Sequence, residues 1–333
     1  MNANQQETLK KRPSFAEVYN KVGIFFILII FVILSACMSR VFLTQANIIN
    51  LLTQTSVVTI IACGITLLII TGNTDLSAGS MVAFGGCFIL GTFKQLTQNM
   101  GLPDVLGGVL AILAGVVLCV AMYGAAALVI TIFNAPAFIV TLAISTAARG
   151  LALMYTDGKV IKQCGNIVKI GQAKLFGVVP FPVLFMIVFL IITWVLLTQT
   201  RFGKHVYAVG GNMESARAAG IHTGSVIMRT YLYHAICVAF AGALFMARLN
   251  SGQPAEAVGL EFDAITAAII GGASLAGGLG TISGTLVGSM IIGILANVFT
   301  LMHVQSYYQQ IITGLIIVLA VVVDIKTKGG KRT

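Results

Sequence analysis

Charge is scarce in this chain: Asp, Glu, Lys and Arg make up 9% of it, against about 25% in a soluble domain. Hydrophobic residues make up 58%, more apolar surface than one core can hide, so lipid must solvate the excess. Enzyme signatures are missing as well. There is no GxxxxGK[ST] to cradle a phosphate, no HExxH and no GxSxG, and the four histidines are scattered without a Ser/His/Asp grouping. The six cysteines form neither a CxxC pair nor a Cys/His cluster, which leaves metal and redox roles unsupported. The net charge of +10 lies in tails and loops, and no arginine-rich run with interleaved aromatics points to nucleic acid. Passage, anchoring or signalling in a membrane remains.

What the chain does have is apolar runs of spanning length. A helix needs about 20 apolar residues to cross a bilayer. Ten segments qualify: 22–39, 48–71, 77–94, 105–132, 137–156, 178–198, 226–249, 261–276, 281–302 and 306–325. The third and eighth are the weakest, and either reads also as a re-entrant or broken helix. The expected fold is an all-α polytopic transmembrane helix bundle of about ten spans. Residues 1–21 read as a cytoplasmic N-terminal tail, 22–325 as the membrane domain and 326–333 as a basic cytoplasmic tail. "LSAC" at Leu34–Cys37 resembles a lipoprotein cleavage box, but the run Val22–Ser39 suits an uncleaved first helix better.

Basic residues orient the bundle. With both ends inside, cytoplasmic segments hold Lys10, Lys11, Arg12, Lys21, Arg201, Lys204, Arg217, Arg229, Lys326, Lys328, Lys331 and Arg332. Outside segments hold Arg40, Lys94, Lys159, Lys162, Lys169 and Lys174, half as many. The longest external loop, Asp157 to Pro180, carries four of those lysines and is the exception to the trend. Inside, the cytoplasmic loop 199–225 contains "NMESARAAG". Asn212 suits an N-cap, Glu214 the first turn, and Gly220 the position after the helix end. So short a helix needs packing to persist. It is either an interfacial helix tucked under the bundle or a knob that docks into a cytoplasmic partner.

Polar residues within the apolar segments are the candidate site. "TGNTDLSAGS", Thr71 to Ser80, sets Asn73, Asp75 and Ser77 between two oily runs. Gly72 and Asn73 end one helix, and Asp75 or Ser77 can cap the next. Asn50, Thr53, Gln54 and Thr55 form a polar patch early in the second segment, as helix glue or as the lining of a watery path. Arg149 either snorkels to the outer interface or lines the path, with Asp263 as a possible partner. Glu261 and Asp263 suit the opening of a helix, near the outer surface. Gly280, Gly284 and Gly288 line one helix face, for packing or for sliding. "GNTDLSAG" at 72–79 also echoes "GGASLAGG" at 271–278, with both stretches facing the cytoplasm.

Four stretches resemble the membrane permeases of bacterial ABC sugar importers of the ribose and galactoside type. They are "RFGKHVYAVGGNMESARAAGI", "TGNTDLSAGS", "EFDAITAAIIGGASLAGGLGTISGTLVG" and "QSYYQQIITGLIIVLAVVVD", and the likeness covers about residues 40–325. The resemblance implies a type II ABC importer-like permease in the bacterial inner membrane, working as a homodimer surrounded by lipid. A periplasmic binding protein would deliver a monosaccharide, most simply a ribose-like one. A cytoplasmic ATP-binding subunit would hold ATP and magnesium, leaving no cofactor in this chain. Gly210, Gly211, Asn212, Glu214, Ala216, Arg217 and Gly220 would then dock in a cleft of that subunit. Asn50, Thr53, Gln54, Asn73, Asp75 and Ser77 would belong to the translocation path and its helix break. With Trp194 as the one tryptophan, near a span end, a tight sugar site is not expected. The rival from the residues alone is an ion-coupled secondary transporter using Asp75.

Overall fold

A computed structural model describes residues 15–162 and 164–328. The chain is nearly all helix, as it must be where hydrocarbon offers no partner to a free backbone group. The helices are α1 (Phe15–Met38), α2 (Gln45–Ile70), α3 (Ala78–Lys94), α4 (Asp104–Ile132) and α5 (Ala137–Thr156). They continue with a short α6 (Lys169–Gln172), α7 (Phe181–Gln199), α8 (Arg201–Gly211), α9 (Met213–Ala218) and α10 (Thr223–Leu249). The last are α11 (Leu260–Ile270), α12 (Ile282–Leu301) and α13 (Ser306–Lys328). A two-residue hairpin, β1 (Lys174–Leu175) with β2 (Val179–Pro180), precedes α7.

Among the described residues, six helices, α2, α4, α5, α7, α10 and α12, are long and apolar enough to cross a membrane. The chain is a multi-pass membrane protein. The 17 residues of α3 run directly into the π-helical turn Gln95–Asn99, which lengthens that rod. For 261–276 the structure takes the broken-helix alternative. Helix α11 has 11 residues, about 16 Å at 1.5 Å per residue, and cannot cross alone. It ends where "GGASLAGG" begins, and Gly272, Gly277 and Gly278 take left-handed backbone that a continuing helix excludes. Helix α1 begins at Phe15, within the expected tail of residues 1–21. Residues 1–14, with Lys10, Lys11 and Arg12, and residues 329–333, with Lys331 and Arg332, lie outside the described residues.

The centre of the bundle is α2 and α10. Helix α10 lies against α2, α3 and α4, while α2 also touches α7, α11 and α12. Helix α2 is buried continuously from Thr55 to Thr71. Helices α4, α5 and α7 leave apolar faces exposed, including Val117, Leu142 and Ile191, as a lipid-facing shell requires. Small residues bring backbones together. On α3 and α10, Gly86 and Gly242 face each other, and a Cβ on Gly86 would lie 2.7 Å from the Gly242 carbonyl oxygen. The glycine stripe of α12 is a packing face: Cβ atoms on Gly284 and Gly288 would overlap the carbonyls of Gly271 and Ala267.

Buried polar pairs tie α2 to α12. Asn47 and Asn297 exchange two amide hydrogen bonds of 2.9 Å, and the Thr66 and Thr285 hydroxyls meet at 2.8 Å. On the opposite side from α8, Ile161 and Gly252 form an antiparallel bridge between the 157–177 loop and the segment before α11. Cys164 is buried in that loop, and burial pushes its thiol above the ordinary range. Arg149 does not pair with Asp263 among the described residues. Its Nη1 donates to the carbonyls of Pro254 (2.6 Å) and Glu256 (2.7 Å), clamping the same segment.

Candidate functional site

The break between α2 and α3 is built by local backbone chemistry. Helix α2 closes with Gly72 at φ 78°, Gly72 N–H donating to Ile69 O and Asn73 N–H to Leu68 O. This is the glycine-terminated Schellman end. Helix α11 ends the same way: Gly272 at φ 93°, its N–H on Ile269 O, and Ala273 N–H on Ala268 O. The internal echo is therefore structural, but one residue out of the register that the sequence suggests, pairing Gly72 with Gly272. The two breaks also meet, since Gly278 N–H donates to Ile70 O at 2.8 Å.

Asp75 folds back from this end into the core and is fully buried. Its Oδ1 accepts from Ser77 N–H (2.9 Å) and the Ser77 hydroxyl (2.5 Å). Its Oδ2 accepts from the Tyr123 hydroxyl (2.7 Å) on α4 and lies 2.8 Å from His234 Nε2 on α10. Tyr231 donates to the Thr74 carbonyl at 3.1 Å, and the Thr141 hydroxyl of α5 accepts from Leu76 N–H at 3.1 Å. The Tyr123 ring meets His234 edge-on at 5.1 Å. A buried carboxylate is costly unless hydrogen-bonded, and here four donors surround it. The expectation of plain helix capping is corrected in part. Ser77 is the N-cap residue of α3 but makes no side-chain cap, and Asp75 caps only the local turn at Ser77 N–H.

Asn73 is half-buried, with its amide on the Thr71 hydroxyl at 3.2 Å. The other expected path residues lie elsewhere. Asn50 and Gln54 share one exposed face of α2, whereas Thr53 turns inward and donates to Ile49 O at 2.7 Å. Gln54 precedes the α2 terminus by about 24 Å of helix. The structure thus splits these residues into two places. Gln54 lines an open cavity of about 650 Å³ between α2, α11, α12 and α13. Asp263, Gln309, Gln310, Thr313, Phe262 and Phe299 share its wall.

The 199–225 loop forms as its sequence indicates. Asn212 Oδ1 accepts from Ser215 N–H at 2.8 Å, capping α9. Gly220 sits at φ 82°, its N–H on Arg217 O, with Ile221 N–H on Ala216 O. Glu214 occupies the first turn. Gly211, Asn212, Glu214, Arg217 and Gly220 are exposed. Two expected docking residues are not. Ala216 is buried at 4% exposure against its own chain, because it lies on the inner face of the single turn. Gly210 packs on the Ile70 carbonyl and Gly278 N–H, where a Cβ would overlap the backbone. Tyr207 of α8 donates to Gly280 O at 2.7 Å, and burial raises its phenol, keeping it a donor.

Sequence reading missed Tyr123, Tyr231 and His234. A signal existed: a histidine inside an apolar run deserves the scrutiny given to Arg149. Among the described residues, no three His, Cys, Asp or Glu side chains gather to hold a metal.

A helical bundle with paired helix breaks and a small capped helix presented beside them defines a membrane transport subunit. The chain belongs to the family described as the permease component of branched-chain amino acid transport systems, which matches residues 47–321. It is 38% identical to the ribose import permease protein of Bacillus subtilis (strain 168), over 98% of this chain and 99% of that one. It is 36% identical to the ribose import permease protein of Escherichia coli (strain K12), over 90% and 92%. The D-allose transport system permease protein of the same strain is 32% identical over 96% of each. No solved structure gives a significant match.

Proposed function

We propose that this chain is the permease subunit of an ATP-driven importer for a ribose-like monosaccharide in a bacterial inner membrane. Full-length likeness to ribose import permeases, continuous across both helix breaks and the cytoplasmic loop, carries the reading. The chain is a transport subunit, not an enzyme, and ATP hydrolysis belongs to a separate subunit. That subunit, with ATP and magnesium, docks on Gly211, Asn212, Glu214, Arg217 and Gly220, the exposed side of α9. A periplasmic sugar-binding protein delivers the cargo.

Ten segments make the membrane domain, with α11 crossing as a half-helix. Its start is tied to the outer loop through Gly252, and the break after it reaches Ile70 and Tyr207 on the α8 side. The cavity at Gln54 is half of the sugar path. Asn50, Gln54 and Gln310 are exposed on a lipid-depth surface, where a polar stripe needs water or a partner. A second copy of the chain closes that face. The ion-coupled alternative is not favoured, because Asp75, its one candidate ion site, is already enclosed by hydrogen-bond donors.

Deletion of the gene tests the reading. Uptake of ribose at low external concentration is expected to fall at least tenfold and return with a plasmid copy. Unchanged uptake of ribose and related monosaccharides would contradict it.

A further inference from the structure

The α2–α3 break is held at two points five residues apart, and each holder belongs to the framework of the cytoplasmic loop. The first hold is at Ile70, whose carbonyl accepts from Gly278 N–H at 2.8 Å while Gly210 of α8 packs directly on it. The second is at Asp75, which lies 2.8 Å from His234 of α10. Tyr123 of α4 braces the same carboxylate oxygen at 2.7 Å.

Helix α9 sits between the two holders and is tied to both. To α10 it is fastened by Arg217 Nε donating to the Thr223 hydroxyl (3.0 Å). To α8 it is joined through Asn212, whose N–H donates to Ala208 O (3.1 Å) and whose carbonyl accepts from Ala216 N–H (3.0 Å). From Thr223 to His234, α10 is an unbroken helix about 16 Å long. A push on α9 therefore reaches the break by two routes, along α10 to His234 and through Gly210 of α8 to Ile70. Unequal movement of α8 and α10 changes the spacing of the two holds. The break has room to respond: Gly72 has open space around its Cα, and Asn73 is half-buried. His234 Nδ1, moreover, is buried with no partner among the described residues, which leaves the imidazole incompletely satisfied in this arrangement.

We propose that Asp75 and His234 are positioning residues of the transport cycle. With the Gly210–Ile70 contact they form a two-point linkage that turns displacement of α9 into rearrangement of residues 71–77. The inference rests on the reading of the chain as an ATP-driven permease.

The test uses the assembled transporter in proteoliposomes, measuring sugar moved per ATP hydrolysed. Wild type must first show ATP-dependent uptake, and its failure would sink the functional reading rather than the linkage. His234→Leu is expected to lower the sugar-to-ATP ratio at least tenfold, with His234→Gln, whose amide reaches the Asp75 carboxylate, recovering most of it. Tyr233→Phe is the control for mere loss of packing. Tyr233 is the next residue on α10 and bonds the Thr193 hydroxyl at 2.6 Å, away from the break. An unchanged ratio in His234→Leu, or an equal loss in Tyr233→Phe, would overturn the linkage. A second measurement leaves the joint intact: maleimide labelling of Asn73→Cys in a Cys37→Ser background. Its rate is expected to change at least threefold between the nucleotide-free and ATP-trapped complexes, and equal rates would overturn the proposal even if His234→Leu fails to assemble.

Discussion

Replacing Asp75 by Asn removes a charge but little volume, and the structure says what this costs. The Oδ1 side survives, still accepting from Ser77 N–H and the Ser77 hydroxyl. The Oδ2 side becomes an amide NH2, a donor that faces two donors, Tyr123 Oη and His234 Nε2. The tyrosine hydroxyl can turn and accept. The imidazole can accept at Nε2 only by carrying its proton on Nδ1, which is buried without a partner and lies against the Gly64 backbone. Two bonds to a charged group are thus exchanged for one neutral bond and one unpaired buried donor. Bonds to charged groups are worth about 1.5–3 kcal/mol each, so the net destabilisation is about 3 kcal/mol. For a chain of this size that lowers the unfolding midpoint by about 4 °C. The assay is available in the sequence, because Cys63, Cys87, Cys119, Cys164 and Cys237 are buried and Cys37 alone is exposed. Unfolding in detergent then reports itself as a burst of thiol labelling with a fluorogenic maleimide. A midpoint within 1 °C of wild type would refute the donor arrangement around Asp75. Plain helix capping predicts that null result, since Asn caps about as well as Asp.

Other outcomes follow from the same geometry. Glu214→Lys and Gly220→Pro should insert normally yet lose more than nine-tenths of ATP-driven uptake, with the ATPase failing to co-purify; full uptake by both would remove α9 from the docking surface. A double-mutant cycle on Asn47→Ala and Asn297→Ala should show a coupling of about 1 kcal/mol in thermal unfolding, and additive effects would mean the reciprocal amide pair is not formed. Gln54→Leu should slow uptake several-fold while leaving the thermal midpoint within 1 °C, because its side chain is exposed to the cavity rather than packed; unchanged uptake would move the path elsewhere.

Local rules carried much of this fold. Asn212, Glu214 and Gly220 took the expected cap, first-turn and post-helix places because a capped turn is decided by a few adjacent residues. The helix break at Gly72 was legible for the same reason. What lay hidden was long-range. Nothing in "TGNTDLSAGS" says that Asp75 will meet Tyr123 and His234, which are 48 and 159 residues away. The inward turn of Ala216 depends on how α9 rolls against its own chain, and a helix of six residues, under two turns, is too short to show a periodic face. Segment 261–276 read both as a span and as a broken helix, because apolar content measures affinity for lipid, while helix length depends on glycines that permit left-handed backbone. The polar patch at 50–55 split because one turn of helix sends Gln54 to a cavity and Thr53 to its own backbone.

The most direct test of the central claim is reconstitution of this chain in sealed proteoliposomes with its ATP-binding subunit and its sugar-binding protein. Labelled ribose, presented with the binding protein outside and ATP inside, should accumulate and should continue to do so when ionophores collapse the proton and sodium gradients. Accumulation that disappears with the ion gradients, or that persists without ATP, would contradict an ATP-driven permease.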